Sequence, residues 1–191
     1  MSNIVGIEQI TIYDLLDRLD LQMLGLEHKI IANVRSAFAD LYLLASPDFQ
    51  VFAMDIFRLR EMEVSFRYEL VLLTREYNRL TGEPRTQAEL ERCVTRKDER
   101  VEFLENAAEE EPTMPLVNIY LGLENRLDWT APELRVLQIW KRGEVQAAKD
   151  RVSGMKAAIV RLKAQARERI EANRTVRSHP MRTRSMARTG N

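Results

Sequence analysis

The chain has few residues that bind metals or form covalent cross-links. Its 191 residues include one cysteine, Cys93, and two histidines, which excludes an intrachain disulfide and leaves too few ligands for a usual structural zinc site. A di-iron site in a helical bundle needs two Glu-x-x-His pairs, but Gly25 lies three residues before His28 and Val176 three before His179. We therefore predict no metal site and no cofactor.

Glycine and proline are also scarce, with seven and six residues, which favours helices over short strands and turns. No glycine has another within ten positions, so neither a Walker A loop nor a dinucleotide-binding fingerprint is present. Cys93 lies near Arg92, Arg96 and Lys97, but nothing marks a histidine partner, and a half-buried structural cysteine is the alternative. We predict that the protein is not an enzyme.

Long hydrophobic runs are missing as well. The tightest apolar cluster is LYLLA at 41–45, far short of the roughly 18 apolar residues of a membrane span. The first residues lack a basic segment followed by a continuous apolar stretch, so no secretory signal is predicted. We expect no membrane partner and a cytoplasmic location, or a virus particle assembled in the cytoplasm.

What the chain does contain is a series of long amphipathic segments. Apolar residues at spacings of three and four predict helices over about 7–45, 46–81, 86–108, 116–126 and 131–176. Ser46 followed by Pro47 fits a helix start, Thr86 and Thr130 each begin a capping box, and Gly82 fits a left-handed helix stop. The predicted fold class is all-α: an elongated bundle of long antiparallel helices with coiled-coil-like seams and a protruding C-terminal helix.

The same pattern divides the chain into four parts. Residues 1–108 form a bundle of three long helices, and 109–130 an acidic, proline-containing connector with a short helix. Residues 131–176 form the long C-terminal helix, and 177–191 a basic flexible tail.

The last predicted helix carries an apolar stripe, which we call the C-terminal seam. A helix of this length extends about 65 Å, whereas a compact domain of this size has a radius of gyration near 16 Å, both order-of-magnitude figures. The seam should therefore need cover from another copy, although packing within one chain and exchange between chains stay open. Its predicted self-association residues are Val145, Ala148, Val152, Met155, Ile159, Leu162 and Ala166.

Two polar residues interrupt the other apolar stripes. Asn33 and Glu63 stand where a core residue is expected. Either the helix rotates locally, or each residue sets helix register or partner choice, through a buried ion pair in the case of Glu63, at some loss of stability.

The charge is unevenly distributed. The chain has 29 basic and 29 acidic residues, but residues 172–191 contain five arginines and no acid. This segment, which we call the arginine arm, is suited to bidentate contacts with phosphate or carboxylate groups. It predicts binding to nucleic acid or to an acidic neighbouring subunit, with Glu109–Glu111 as one acceptor; a simple role in solubility is the alternative. The predicted contact residues are Arg174, Arg177, Arg182, Arg184 and Arg188.

These features favour a non-enzymatic, self-associating structural or assembly protein that forms a homo-oligomer and also binds other assembly proteins. Small, cysteine-poor helical chains with arginine arms are typical of viral and bacteriophage particles, so a virion, connector or scaffolding component is the most concrete form. The alternatives are a dimeric nucleic-acid-binding regulator, and a helical adaptor or chaperone that binds a partner helix.

Overall fold

The all-α fold class is confirmed. The structure, a computed structural model, describes residues 11–82, 85–123 and 129–177, and within these ranges it contains helices and no strand. The helices are α1 (Ile12–Leu41), α2 (Pro47–Thr81), α3 (Gln87–Glu109), α4 (Met114–Leu121) and α5 (Ala131–Arg177).

Helix starts are set by local capping chemistry. The Ser46 hydroxyl accepts the Phe49 backbone N–H at 3.3 Å, with Pro47 in the first turn of α2, as predicted. The Thr86 backbone N–H donates to Glu89 at 2.8 Å in the predicted capping box. The sequence pattern predicted a helix from about residue 7, but α1 begins at Ile12, because Thr11 forms its N-cap in a capping box with Asp14.

Gly82 does not take the predicted left-handed conformation. Its φ of −86° and ψ of 166° are extended, and glycine is needed there because a Cβ would lie 2.6 Å from the Asn78 carbonyl oxygen. The left-handed helix end is at Gly122 instead, where φ is 71°.

The first two helices form an antiparallel hairpin, as predicted. Arg35 near the end of α1 pairs with Glu61 at 2.9 Å, and Glu27, further back on α1, pairs with Arg67 further along α2. The α1–α2 turn therefore marks one end of the molecule.

Two other packed helix pairs are parallel, because the long helices alternate in direction along the chain. Helix α3 runs parallel to α1, because Asp20 contacts Lys97 and Asn33 contacts Ala108. It carries the chain back to the end where α2 begins, so α5 starts there and runs parallel to α2.

Three ion pairs fix the parallel register of α2 and α5. They join Asp55 to Arg142, Glu69 to Lys156 and Glu76 to Lys163, and each joins residues 87 positions apart. The successive pairs are separated by multiples of seven residues, the repeat of a parallel coiled coil.

The core lies between α1, α2, α3 and α4. The contacting helices give the order α3–α1–α2–α5, with α4 packed against both α1 and α2. Val117 and Leu121 on α4 are fully buried, so the predicted connector contributes to the core. An aromatic cluster closes the hairpin end and comprises Phe38, Tyr42, Phe49, Phe52 and Phe57.

The C-terminal seam is covered within the chain. Val145, Val152 and Ile159 are buried on α5, which packs along α2. Ala148, Met155 and Leu162 are half-buried, and Ala166 is exposed. The three buried residues need no second copy for cover, because α2 is itself 35 residues long and runs alongside them, while self-association through the seam stays a prediction. With the register of 87, α2 reaches the level of Glu168, so α5 protrudes by only about nine residues, roughly 14 Å.

Candidate functional site

A groove of about 550 Å³ lies on the surface of the bundle. Its sides come from α2 and α3, its base from α1, and α4 closes one end. Ile30, Ile31, Val64 and Leu104 form a buried apolar floor. We call this feature the arginine-rimmed groove, after Arg60, Arg67 and Arg100 at its edges.

Two large apolar side chains are left exposed at the edges of the groove. Phe103 on α3 is 59% exposed and Ile119 on α4 is 65% exposed. Beside a buried apolar floor, they extend the hydrophobic surface outward. Such a surface is typical of a binding site.

The three arginines of the groove differ in their partners. Arg60 donates to the Tyr120 carbonyl oxygen and to Glu63, each at 3.1 Å, and Arg67 pairs with Glu27. The guanidinium of Arg100 lies 4.8 Å from the Phe103 ring centroid and, within the described ranges, makes no ion pair. Arg100 is therefore the arginine of this groove whose charge has no acidic partner among the described residues.

The positive charge of the groove acts on the half-buried phenol of Tyr120. Burial raises the pKa of Tyr120, while the charges of Arg60, Arg100 and Arg67 oppose that shift. The site thus combines an apolar floor with a local positive field.

A second exposed surface lies at the α1–α2 turn. Leu43 and Leu44 protrude into solvent, and Leu44 is completely exposed. We call this surface the hairpin tip; its apolar residues are Leu41, Leu43, Leu44, Val51 and Met54.

The backbone of the hairpin tip is held in place. The Ala45 N–H donates to the Tyr42 carbonyl oxygen at 2.9 Å, and the Tyr42 hydroxyl donates to the Asn118 side chain on α4 at 2.6 Å. The two leucines are therefore presented on a fixed turn.

The hairpin tip is also acidic. Residues 36–57 contain Asp40, Asp48 and Asp55 but no lysine or arginine. Arg142 on α5 pairs with Asp55 at 3.1 Å, whereas Asp40 and Asp48 are exposed and have no ion pair among the described residues.

A buried ion cluster joins the other end of the bundle. Asp20 on α1 is 1% exposed and accepts from Arg75 on α2 and from Lys97 on α3, and Arg75 also pairs with Asp17. Burial lowers the pKa of Arg75, and the charges of Arg79 and Arg85 lower it further. The cluster holds three helices together, and its geometry is structural.

Asn33 and Glu63, which were predicted to set helix register or partner choice, both make contacts within the chain. Asn33 donates to the Ala108 carbonyl oxygen at 3.0 Å and so fixes the end of α3 against α1. Glu63 is partly exposed at the groove edge and pairs with Arg60 on its own helix, so it does not form a buried ion pair between helices.

The described part of the arginine arm is small. Arg174 is exposed in the last turns of α5. The backbone of Arg177 ends that helix, and Arg182, Arg184 and Arg188 lie outside the described residues.

No cluster of three or more His, Cys, Asp or Glu side chains that could hold a metal ion occurs in the described residues. Cys93 is half-buried, with its sulfur 3.7 Å from a guanidinium nitrogen of Arg85. In the same residues, none of the helices has a stretch both long and apolar enough to cross a bilayer.

Sequence reasoning did not identify the groove or the buried Asp20. Phe103 offered a signal, because it is a large aromatic residue outside the stripe of Leu90, Val94, Val101 and Leu104. Asp20 offered none, since acids lie close to the apolar stripe elsewhere on α1 too.

The fold and these surfaces define an all-α helical bundle with an open groove. Comparisons with protein-family models, with curated proteins and with solved structures find no match to this chain.

Proposed function

We propose that this protein is a non-enzymatic adaptor that binds an amphipathic helix of a partner protein in the arginine-rimmed groove. One observation carries the proposal: Phe103 and Ile119 stay exposed beside a floor of buried aliphatic side chains. Burial of such side chains by a partner is favourable by about 1.5–3 kcal/mol each.

The dimensions of the groove suit a short helical segment. Its lining residues span Arg60 to Arg67 on α2 and Arg100 to Ala107 on α3, about two helical turns or 10 Å along each. Two turns of a partner helix present apolar residues at positions i, i+3, i+4 and i+7, the usual pattern of a helix bound in a groove.

The charge at the groove defines the partner further. Arg60 and Arg67 are held by Glu63 and Glu27, whereas Arg100 is free to bind a carboxylate. We therefore expect the partner helix to carry an aspartate or glutamate beside its apolar face.

Selection from a display library of random-sequence helical peptides tests this function. Peptides enriched on the full chain should carry the i, i+3, i+4, i+7 apolar pattern with an adjacent acid. They should lose binding to Phe103→Ala/Ile119→Ala by tenfold or more, roughly the effect of losing 1.4 kcal/mol.

The matched control removes two equally exposed residues that do not line the groove. Val136 and Ile139 on α5 are 67% and 68% exposed, so Val136→Ala/Ile139→Ala should leave peptide binding unchanged. Equal enrichment on all three proteins, or none on the unaltered chain, would contradict the proposed function.

A second candidate function is a self-associating assembly protein, with a viral or bacteriophage particle component as its most concrete form. The covered C-terminal seam no longer supports it, but the exposed apolar residues of the hairpin tip do. Sedimentation velocity over a concentration series tests it: a homo-oligomer is expected, and a monomer at every concentration would refute it.

The arginine arm could also hold nucleic acid within that second function. Five phosphate contacts would make log K fall with log salt concentration with a slope of about −4.5. Binding to a mixed-sequence duplex across a salt series measures the slope, and salt-independent binding would exclude this role.

A further inference from the structure

The hairpin tip and the start of the arginine arm lie at opposite ends of the described structure. The parallel register places Asp55, at the hairpin end of α2, beside Arg142, whereas the arm follows the end of α5 at Arg177. The 35 residues of helix from Arg142 to Arg177 span about 52 Å.

The arm cannot deliver its arginines to the hairpin tip of its own chain. Arg188 is eleven residues beyond Arg177 and so reaches at most about 40 Å when fully extended. Leu44 lies still further away than Asp55, since it precedes α2. A contact between these two surfaces therefore requires two copies.

The two surfaces are complementary in charge. Asp40 and Asp48 are exposed carboxylates without ion pairs among the described residues, and no cation occurs in residues 36–57. The arm contributes arginines and no acid. Arginine–carboxylate contacts of this kind form bidentate hydrogen bonds.

Their apolar groups match as well. The arm includes Met181 and Met186 between its arginines, and methionine adapts to irregular apolar surfaces. The hairpin tip presents Leu43 and Leu44 on a turn fixed by hydrogen bonds. Burial of these leucines adds a favourable contribution that a purely electrostatic contact lacks.

We propose that the arginine arm of one copy binds the hairpin tip of a second copy. This inference rests on the second candidate function, self-association, and names the two surfaces that would carry it. The charged part of the contact should weaken with salt, while the leucine contacts persist.

A complementation experiment with full-length chains tests the proposal. The tip variant carries Asp40→Asn, Leu43→Ser and Leu44→Ser, and the arm variant carries Arg182→Gln, Arg184→Gln and Arg188→Gln. All three tip positions are exposed, so the fold should persist, as checked by circular dichroism. Nuclease-treated samples are compared by sedimentation velocity.

Each variant alone should associate at least about tenfold more weakly than the unaltered chain, the effect expected when two leucines lose their cover. Mixed together, the two variants should associate again, because the tip variant supplies an intact arm and the arm variant an intact tip. A control that makes the same kinds of change at other exposed positions, Leu21→Ser/Asp98→Asn/Val160→Ser, should behave like the unaltered chain.

Three results would overturn the proposal, and they differ in meaning. Self-association that survives in both variants would refute the arm–tip contact but leave the assembly function standing. A monomeric unaltered chain would refute both. If only nucleic acid, added back after nuclease removal, restores association of the tip variant, the arm binds nucleic acid and the proposed contact is wrong.

Discussion

Substitution of Asp20 by asparagine should strongly destabilise the fold. The carboxylate is 1% exposed and receives hydrogen bonds from Arg75 and Lys97, so its loss leaves two cations without their shared partner. Breaking a buried ion pair in this way costs about 3–5 kcal/mol. Asparagine keeps the volume and nearly the helix propensity of aspartate, which isolates the effect of the charge.

The lower end of that range applies here. Arg75 retains Asp17, and Lys97 is 22% exposed, so its ammonium group can reach water. We expect Asp20→Asn to reduce the free energy of unfolding by about 3 kcal/mol. In urea, with a slope near 2 kcal/mol per M, the unfolding midpoint should fall by about 1.5 M.

Asp17→Asn is the matched control. It removes a carboxylate from the same helix and the same arginine, but Asp17 is 48% exposed, so the expected loss stays below about 1 kcal/mol. Replacing all three cluster residues by Asp20→Leu/Arg75→Leu/Lys97→Met should recover much of the stability, because no buried charge is left unpaired and Asp17, which loses Arg75, is 48% exposed. Equal losses for the two asparagine variants would refute the role assigned to the buried charge.

The remaining predictions concern the seam, the hairpin end and the helix caps. Ile159→Ala should lower the free energy of unfolding in urea by about 2–4 kcal/mol without changing the mass of the protein in solution. Val160→Ala, at an exposed neighbouring position, should change this free energy little. Equal effects of the two substitutions would contradict the cover of Ile159 by α2. Tyr42→Phe removes the donor to a buried amide oxygen and should cost about 1–3 kcal/mol by the same assay, and a neutral result would show that this hydrogen bond is not needed. Hydrogen bonds from Thr86 lower the pKa of Glu89, so the Glu89 carboxyl group binds its proton less tightly in the folded state than in the unfolded state. The resulting stabilisation of the fold is present above the unfolded pKa of Glu89 and is lost as pH falls through its lower folded pKa. Thr86→Ala should make acid unfolding less steep in that window, and an identical pH profile would contradict the assignment.

The parallel pairing of α2 and α5 changes what the long C-terminal helix can do. Its apolar stripe is satisfied within the chain, and the ion pairs at Asp55, Glu69 and Glu76 hold its register. Helix α5 therefore packs along α2, and the two binding surfaces that we propose, the arginine-rimmed groove and the hairpin tip, are not on α5.

The helices and their ends were largely determined by the sequence. Period 3.6 patterns and caps act over three or four residues, so the roles of Ser46, Thr86 and Glu89 do not depend on how the helices pack. Local patterns do not determine how every helix ends. Gly82 and Gly122 both follow a helical pattern, but only Gly122 has a positive φ, and the path of the following segment decides which of the two glycines takes that conformation.

Tertiary structure alone decided the directions of the helices, which helices pack together and which surfaces stay exposed. An acid–base register 87 residues apart is present in the sequence, but with 30% charged residues many other offsets also align opposite charges. Whether Val152 faces another copy or α2, and whether Asp20 is solvated or buried, depends on where α3 and α4 carry the chain. Local patterns set which residues are apolar on a helix face, whereas the connections between helices decide what that face meets, and this is why the groove and the tip emerged only from the fold.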